Sequence, residues 1–476
     1  MKGFRHRLLF VLWLSAWPLW AGAETLAELY ELALANDPAL KAAHAAWLAG
    51  RESAAIARAA LLPQISASAE YAESDNDATR SSVFVLGGVA VPSFTDRSTE
   101  TDATTFAVSL RQPIFDLPAW YDWRQGRTVA ERTRLELLAA QQDLVMRVAD
   151  AYFAVLRAAD NLASALAEEQ ALSRQLEQTR QRYEVGLVPI TDVHEAQASR
   201  DAAAANTLHF RGALKTAFEA LAVLTGRSHE ALVPLADDFP TPPPEGSAED
   251  WVALATAHNL ELRIARLGEE AARYHAQARK YEHLPRLAGT LSWQDVDQDA
   301  TFDDNTTSLR DADEKLDSET TAAALTLSMP LFSGGLISAQ RRQALHQHVE
   351  AEERAELALR NTILEARSAW QELATQAAVV AARRQAITSA ESALEATRAG
   401  YEVGTRNIVD LLFAERNLHQ ARRDYANARY DYVAANLALK KVAGQLSPED
   451  LYALDRWLES GQAVRPEGGP AVKPEG

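Results

Sequence analysis

The hydrophobic positions of the chain follow two different periods, and the two alternate along its length. From about residue 119 to 182, apolar residues recur at steps of three and four, which is typical of the seam of a coiled-coil helix. The seam residues are Leu138, Val145, Val148, Tyr152, Val155, Ala159, Leu162 and Leu166. A helix of that length extends about 95 Å at 1.5 Å per residue. Residues 336–398 predict a matching long helix, and shorter alanine-rich helices are predicted at 190–224 and 408–442.

Four segments between these helices alternate apolar and polar residues with a period of two, which is typical of β-strands. They lie at about residues 64–72, 104–112, 286–294 and 321–329. Each has roughly the ten-residue length of a strand in an outer-membrane β-barrel. Four strands cannot close a barrel, because about eight is the lower limit. The pattern therefore predicts an oligomer, and three chains would supply twelve strands.

The segments between paired strands, residues 73–102 and 294–319, are mainly polar and predict surface loops. The acidic stretch at residues 295–299 has the spacing with which a calcium-binding loop begins. An EF-hand loop then needs a glycine and, at its twelfth position, a glutamate. This sequence has Ala300 and Thr306 at those positions, so a solvated loop is favoured over a metal site.

An internal duplication organises the chain. The sequence YEVGLVPITD at Tyr183–Asp192 returns as YEVGTRNIVD at Tyr401–Asp410, 218 residues later. Each copy lies between two predicted helices, so each predicts a helical hairpin. The turns would contain Gly186 and Gly404, because glycine tolerates the positive φ that such turns need.

The duplication divides the chain into five parts. A positively charged start, an apolar run and the small residues Ala21-Gly22-Ala23 predict a secretory signal peptide at residues 1–23. The two structural repeats cover residues 24–226 and 251–444. Residues 227–250 follow the first repeat and residues 445–476 follow the second, so the two segments occupy equivalent positions in the sequence. They predict equatorial segments beside the middle of the helices, the second with a mobile C-terminal tail.

Composition removes several classes of function. The formal net charge of −18 and the lack of a basic patch argue against nucleic acid as a partner. The chain has no cysteine, and therefore neither disulfides nor an acylated N-terminal cysteine. Phosphate-loop, dinucleotide and nucleophile-elbow motifs are missing from the sequence. His346 and His348 stand two residues apart and would not share a helix face. We therefore predict no enzymatic activity, no cofactor and no catalytic or metal site.

The two hairpin segments, together with YANARY at Tyr425–Tyr430, resemble the helical hairpins of the TolC family of outer-membrane efflux ducts. The resemblance covers residues 26 to about 458, with both motifs at the correct ends of both repeats. It implies a homotrimer in which a long α-helical coiled-coil barrel, the periplasmic tunnel, is fused to a 12-stranded transmembrane β-barrel. Three protomers would complete the barrel with four strands each.

The resemblance also implies a location and partners. The protein would lie in the cell outer membrane, in contact with its lipid, with a long periplasmic extension. It would carry small molecules or proteins, in multidrug efflux or type I secretion. Its partners would be a periplasmic adaptor protein and an inner-membrane RND, ABC or MFS transporter.

The same resemblance implies roles for residues at the hairpin turns. The adaptor would dock on two triplets, Val185-Gly186-Leu187 and Val403-Gly404-Thr405. Asp410 would face the pore, where three copies form a carboxylate ring that attracts cations. Tyr401 and Arg406 would bond to Asp192 and Thr191 of a neighbouring hairpin and hold the helices shut. Arg406 and Asp410 stand four residues apart and are expected to share a helix face, where such pairs are often plain surface pairs.

One departure from the family pattern lies three residues after Asp410, where the family often has a second acid and this chain has Phe413. Three phenylalanines would form an apolar constriction that could gate by dewetting. Alternatively, Phe413 packs between helices as part of the core.

A second function from a different class fits the long helices: a soluble periplasmic coiled-coil adaptor or scaffold. A protein of that class is not expected to contain four segments in which apolar and polar residues alternate. The channel is therefore the favoured interpretation.

Overall fold

The computed structural model describes residues 23–304, 312–458 and 463–467. Apart from Ala23, the predicted signal peptide lies outside the described residues, as does most of the predicted tail. Within them the order of two helices, two strands and two long helices occurs twice, followed by one short helix. The helices are α1 (Leu26–Asn36), α2 (Pro38–Ala59), α3 (Leu117–Glu184), α4 (Ile190–Thr225), α5 (Ala248–His258), α6 (Leu260–Lys280), α7 (Leu336–Glu402), α8 (Ile408–Val442) and α9 (Pro448–Asp455).

The two repeats begin with the same helix cap. Thr25 accepts a hydrogen bond from the backbone N–H of Glu28, whose side chain accepts one in return, and Ser247 and Asp250 do the same at α5. These reciprocal bonds satisfy backbone donors that the first turn of a helix leaves free. The duplication is therefore visible in local bonding as well as in sequence.

The four strands are β1 (Gln64–Leu86), β2 (Val89–Phe115), β3 (Arg286–Asp304) and β4 (Ala312–Ser328). They form one antiparallel sheet in the order β1-β2-β3-β4. Within the described residues, β1 and β4 each pair with a strand on one side only. The sheet of a single chain is therefore open at both edges.

The strands are longer than the sequence pattern predicts, and this corrects the predicted loops. Residues 73–86 and 89–102 pair with each other up to a two-residue turn at Gly87 and Gly88, whose φ angles are +59° and +86°. Much of 294–319 is also paired, so the acidic stretch at 295–299 lies within β3. In these extensions most side chains are polar on both faces, whereas residues 83–86 and 89–91 beside the turn are apolar on both faces. The alternation of hydrophobicity therefore vanishes although backbone pairing continues. Among the described residues, no cluster of acidic and histidine groups could hold a metal ion.

The chain divides into two compact units. The sheet unit comprises Ala45–Glu136 and Glu261–Ala358, and therefore holds all four strands. The hairpin unit comprises the described residues up to His44, Leu137–Leu260 and the described residues from Leu359 onward. The long helices α3 and α7 contribute residues to both.

The main core of the hairpin unit is built on the predicted seam of α3. Val145, Val148, Tyr152, Val155 and Leu162 are all buried there, against side chains from α4 and α8. Leu232 and Leu235 of the segment at 227–250 join this core and pair with chain near both termini. The Tyr152 hydroxyl donates to the carbonyl of Val233, so this segment packs beside the middle of α3.

A buried ion pair links α8 to α3 farther along the hairpins. Arg423 lies 2.8 Å from Glu168, and both side chains are almost fully buried. A buried carboxylate is tolerated only with such a partner, because its desolvation costs several kcal/mol.

No helix among the described residues is both long and apolar enough to cross a membrane.

Candidate functional site at the hairpin turns

The two hairpin turns repeat the same hydrogen bonds. In the first, the Gly186 N–H donates to Tyr183 O at 2.8 Å and the Leu187 N–H to Arg182 O at 2.9 Å. In the second, Gly404 donates to Tyr401 O at 3.2 Å and Thr405 to Gly400 O at 2.8 Å. Both turn glycines adopt positive φ, +77° for Gly186 and +81° for Gly404. The prediction that glycine forms these turns for conformational reasons is confirmed.

The predicted docking triplets project apolar side chains into solvent. Val185, Leu187 and Val403 are each exposed, and Thr405 bonds back to the carbonyl of Gly400 at 3.0 Å. An exposed valine or leucine is ordinary by itself, but three at the tips of two adjacent turns make a small apolar surface. The triplets therefore have the exposure that a docking role requires.

Arg406 does not lie on a helix, which corrects the expectation that it shares a helix face with Asp410. The helix α8 begins at Ile408, and Asn407 caps it by accepting from the Asp410 N–H at 2.8 Å. The chain turns so tightly before this cap that a side chain at Gly400 would meet Arg406 Cγ at 2.8 Å. Arg406 reaches Asp410 from the turn, at 3.8 Å between guanidinium and carboxylate.

Within this chain the four closure residues are not bonded to one another as predicted. The Tyr401 hydroxyl is buried and has no hydrogen-bond partner among the described residues. Arg182 of the first hairpin lies over the Tyr401 ring, 5.0 Å from its centre, so cation–π attraction joins the two hairpins here. Thr191 and Asp192 bond weakly to each other at 3.5 Å. Closure bonds from Tyr401 and Arg406 to these residues therefore require another copy of the chain.

Asp410 and Phe413 lie on the exposed side of α8. Phe413 is 60% exposed, whereas its neighbour Leu412 is 3% exposed and packs in the core. Phe413 is thus outside the core of a single chain, and its packing between helices of different chains stays an alternative. Burial lowers the pKa of His419, farther along α8, so this histidine is neutral at pH 7 and adds no positive charge.

Comparison with known proteins identifies this arrangement. The family described as outer membrane efflux protein matches residues 29–227 and 251–445, nearly the whole of both repeats. TolC of Vibrio cholerae is 34% identical over 440 residues, which cover 92% of this chain and 94% of that protein. This chain belongs to the outer membrane efflux protein family, also called the TolC family.

Further TolC-family relatives agree. TolC of Escherichia coli is 33% identical over 98% of this chain and 92% of that protein. The alkaline protease secretion protein AprF of Pseudomonas aeruginosa is 31% identical over 91% of this chain and 87% of that protein. Among solved structures, the CmeC outer membrane channel of Campylobacter jejuni has a TM-score of 0.70 at 17% identity, covering 92% of this chain and 90% of that one. CusC has a TM-score of 0.73 at 17% identity, covering 89% and 92%.

These relatives confirm the fold class, a helical tunnel joined to a β-barrel, and the location in the outer membrane with a periplasmic extension. The TolC-family chain is an outer-membrane exit duct for efflux or secretion. The alternative of a soluble periplasmic adaptor is rejected. The family is one of channels rather than of enzymes.

A polar groove beside the turns was not predicted from the sequence. It has a volume of about 790 Å³ and lies between the two hairpins of the TolC-family chain. Arg174, Arg182 and Arg398 line it together with Tyr401 and Glu415. The Arg398 guanidinium lies 2.6 Å from the Glu415 carboxylate and so ties α7 to α8. The signal was available, since five glutamines or arginines follow Arg174 within eight residues of α3.

Proposed function

We propose that three copies of this TolC-family chain assemble into one duct, which receives cargo from an inner-membrane pump through a periplasmic adaptor. The open sheet carries this proposal. An unpaired strand edge in lipid leaves several backbone groups without partners, at several kcal/mol each. Edges at β1 and β4 can be satisfied if three four-stranded sheets join, which gives a barrel of twelve strands.

The relatives indicate the class of cargo and the class of pump, but not the individual cargo or pump. The family is described as one of outer membrane efflux proteins, and the relative AprF is a protease secretion protein, so efflux and protein secretion are two uses within one family. We propose that this chain serves small-molecule efflux, type I secretion or both, with an RND, ABC or MFS transporter. A duct of this kind performs no chemistry, so the energy for transport comes from the pump.

We assign the closed state of the duct to contacts between chains at the hairpin turns. Tyr401 has a buried hydroxyl without a partner, and Arg406 is largely exposed with Asp410 as its one ion-pair partner among the described residues. In the proposed trimer they bond to Asp192 and Thr191 of a neighbouring chain. Asp410 and Phe413 then converge as a carboxylate ring and an aromatic ring.

The adaptor contact is tested by site-specific crosslinking in cells. The chain has no cysteine, so single cysteines can be placed at will. Leu187→Cys and Val403→Cys, labelled with a photoreactive maleimide, should each crosslink to a periplasmic protein. Val223→Cys is the matched control, because Val223 is an equally exposed apolar residue on α4, far from the turn. Crosslinks from the control position alone, or from none of the three, would contradict docking at the turns.

A further inference from the structure

Aromatic and basic side chains gather where the strands of the sheet unit pass into helices. On α3 they are Trp120, Tyr121, Trp123, Arg124 and Arg127, and we call these residues the boundary cluster. Tyr274 and Tyr281, from α6 and the turn after it, complete its surroundings. Tyr121 and Tyr281 stack with ring centres 5.3 Å apart and planes inclined by 15°, which makes a rigid wall.

The two arginines of the boundary cluster contact rings rather than carboxylates. The Arg124 guanidinium lies 4.9 Å from the Trp120 ring centre and 4.7 Å from that of Tyr274. The Arg127 guanidinium lies 5.3 Å from the Trp123 ring centre. Neither has an acidic partner within 4.0 Å among the described residues. Planar guanidinium groups held on aromatic faces keep their N–H donors free for an anion.

Three other arginines on the same helices have acidic partners. Arg132 pairs with Glu136 at 2.8 Å and Arg134 with Glu131 at 2.6 Å. On α6, Arg273 pairs with Glu270 at 3.4 Å. Arg124 and Arg127 thus keep charges without an acidic partner at the cluster, and Lys280, whose ammonium lies 5.5 Å from the Tyr281 ring centre, is a further cation without an ion pair among the described residues.

The two free guanidinium groups line one cavity of about 260 Å³. Its other walls are Thr128, Leu267 and Tyr274, with Glu131 and Glu270 at its edge. Both glutamates have arginine partners, as described above, so their charges are compensated. The cavity thus offers positive charge, an aromatic wall and an apolar side chain at one place.

The cavity lies beside the first turns of α3, close to where the sheet ends. Helix α3 begins directly after β2, whose last residues Ile114 and Phe115 are exposed and apolar. At 1.5 Å per residue, Trp120, Arg124 and Arg127 lie about 5, 10 and 15 Å into the helix, but the two guanidinium groups lie over Trp120 and Trp123, one turn nearer the sheet. The headgroup layer of a bilayer is about 5–8 Å thick, and aromatic residues concentrate there. Long helical side chains lean toward the helix N-terminus, which here is the membrane side.

We propose that Arg124 and Arg127 bind the phosphate of an anionic phospholipid in the periplasmic leaflet of the outer membrane. Paired N–H donors of arginine match phosphate oxygens in a bidentate geometry. Trp120 and Trp123 contact the glycerol and the first methylene groups of the same lipid. The continuity of the cluster with exposed apolar strand ends favours a lipid over a dissolved phosphate. The site goes beyond the duct function, since it fixes the depth of the chain in the membrane.

The test uses the complete assembled protein in nanodiscs of phosphatidylcholine, with or without phosphatidylglycerol. Native mass spectrometry counts the phosphatidylglycerol molecules that remain bound after detergent transfer, and thermal unfolding is recorded alongside. Wild type should retain phosphatidylglycerol and unfold at a higher temperature in its presence. Arg124→Gln with Arg127→Gln should retain it about tenfold less, because two charge-assisted contacts are lost.

Arg132→Gln with Arg354→Gln is the matched control. It removes the same charge from two exposed arginines of the sheet unit that already have glutamate partners. It should behave as wild type. If the first double variant does not assemble, Arg127→Gln alone, at an exposed position, should still lower retention severalfold. Arg124→Lys with Arg127→Lys should keep part of the binding.

Three results would overturn the proposal. Equal retention by the Arg124/Arg127 variants and the control would remove the arginines from lipid binding. Equal stabilisation by phosphatidylcholine alone would remove the preference for an anionic headgroup. Equal stabilisation by inorganic phosphate in phosphatidylcholine nanodiscs would make the cavity a solute site.

Discussion

Replacing Tyr401 with phenylalanine and Arg406 with serine is expected to open the resting duct. The Tyr401 hydroxyl is buried without a partner in one chain, and Arg406 contacts Asp410 at a long 3.8 Å. The exposed Arg406 guanidinium is therefore available to a neighbouring chain in the proposed trimer, whereas the enclosed Tyr401 hydroxyl reaches that chain's Asp192 only after side chains at the turn rearrange on assembly. Removing them leaves the turns folded, because the bonds that form the turns are backbone bonds.

The expected effect on closure is large. Hydrogen bonds to charged groups contribute about 1.5–3 kcal/mol each, and every 1.4 kcal/mol changes an equilibrium about tenfold. Loss of two such bonds shifts the balance from closed to open by roughly a hundredfold or more for each chain. Single-channel conductance in planar bilayers should therefore rise clearly.

A matched control separates closure from general weakening of the hairpins. Tyr183→Phe alters the equivalent tyrosine of the first repeat, and Arg422→Ser breaks an exposed pair between Arg422 of α8 and Glu391 of α7. Exposed pairs contribute about 1 kcal/mol or less. This control should conduct as wild type. Unchanged conductance of the Tyr401/Arg406 variant, in complexes of normal mass, would mean that closure is held elsewhere.

The second large effect concerns ion selectivity at the proposed constriction. Asp410→Ala should reduce cation selectivity and weaken block by multivalent cations, because three converging carboxylates set the local potential. Arg406→Ser should act in the opposite direction, since it removes the cation that lies 3.8 Å from Asp410. Reversal potentials in asymmetric KCl measure both changes. If Asp410→Ala leaves the reversal potential unchanged, the carboxylate does not face the pore.

Phe413 should affect conductance more than charge selectivity. Phe413→Ala should widen the closed pore and raise conductance, and Phe413→Asp should strengthen cation block by adding a second acidic ring. Because Phe413 is exposed in the chain, its truncation should hardly change the melting temperature. Leu412→Ala is the contrasting control, because it empties a buried site and should cost about 2–5 kcal/mol of stability. Equal destabilisation by both would show Phe413 to be packed between chains.

The helical half of the fold was predictable because its signals are long and repeated. The seam of α3 runs over many turns, and its residues from Val145 to Leu162 lie in the core. The turns at Gly186 and Gly404 recur with the same bonds, which a duplicated sequence makes almost obligatory. Periodicity over such lengths leaves few alternatives.

The strands could be located but their length could not. Alternation marks only the part of each strand near the helices, where one face is apolar. Beyond it most side chains are polar on both faces, and the backbone pairs without an alternating hydrophobic pattern. The Gly87-Gly88 pair between two apolar runs was the available signal, since two adjacent glycines suit a two-residue hairpin turn.

At the turns, the sequence predicted which residues matter more readily than how they contact each other. Spacing alone placed Arg406 on a helix with Asp410. In the structure Asn407 is the N-cap, so the helix begins at Ile408 and Arg406 lies before it. The burial of the Tyr401 hydroxyl and its neighbour Arg182 depend on the packing of two hairpins. Arg182 and Tyr401 are more than 200 residues apart in the sequence. No local sequence pattern encodes a contact between residues so far apart.

The mass of the detergent-solubilised complex tests the central claim most directly, that three open sheets close one duct. The chain offers a single four-stranded sheet whose edge strands β1 and β4 each lack a second neighbour among the described residues. Mass measurement should give three times the mass of one mature chain, in a complex that separates only on strong heating. A stable monomer of native secondary structure would contradict the account.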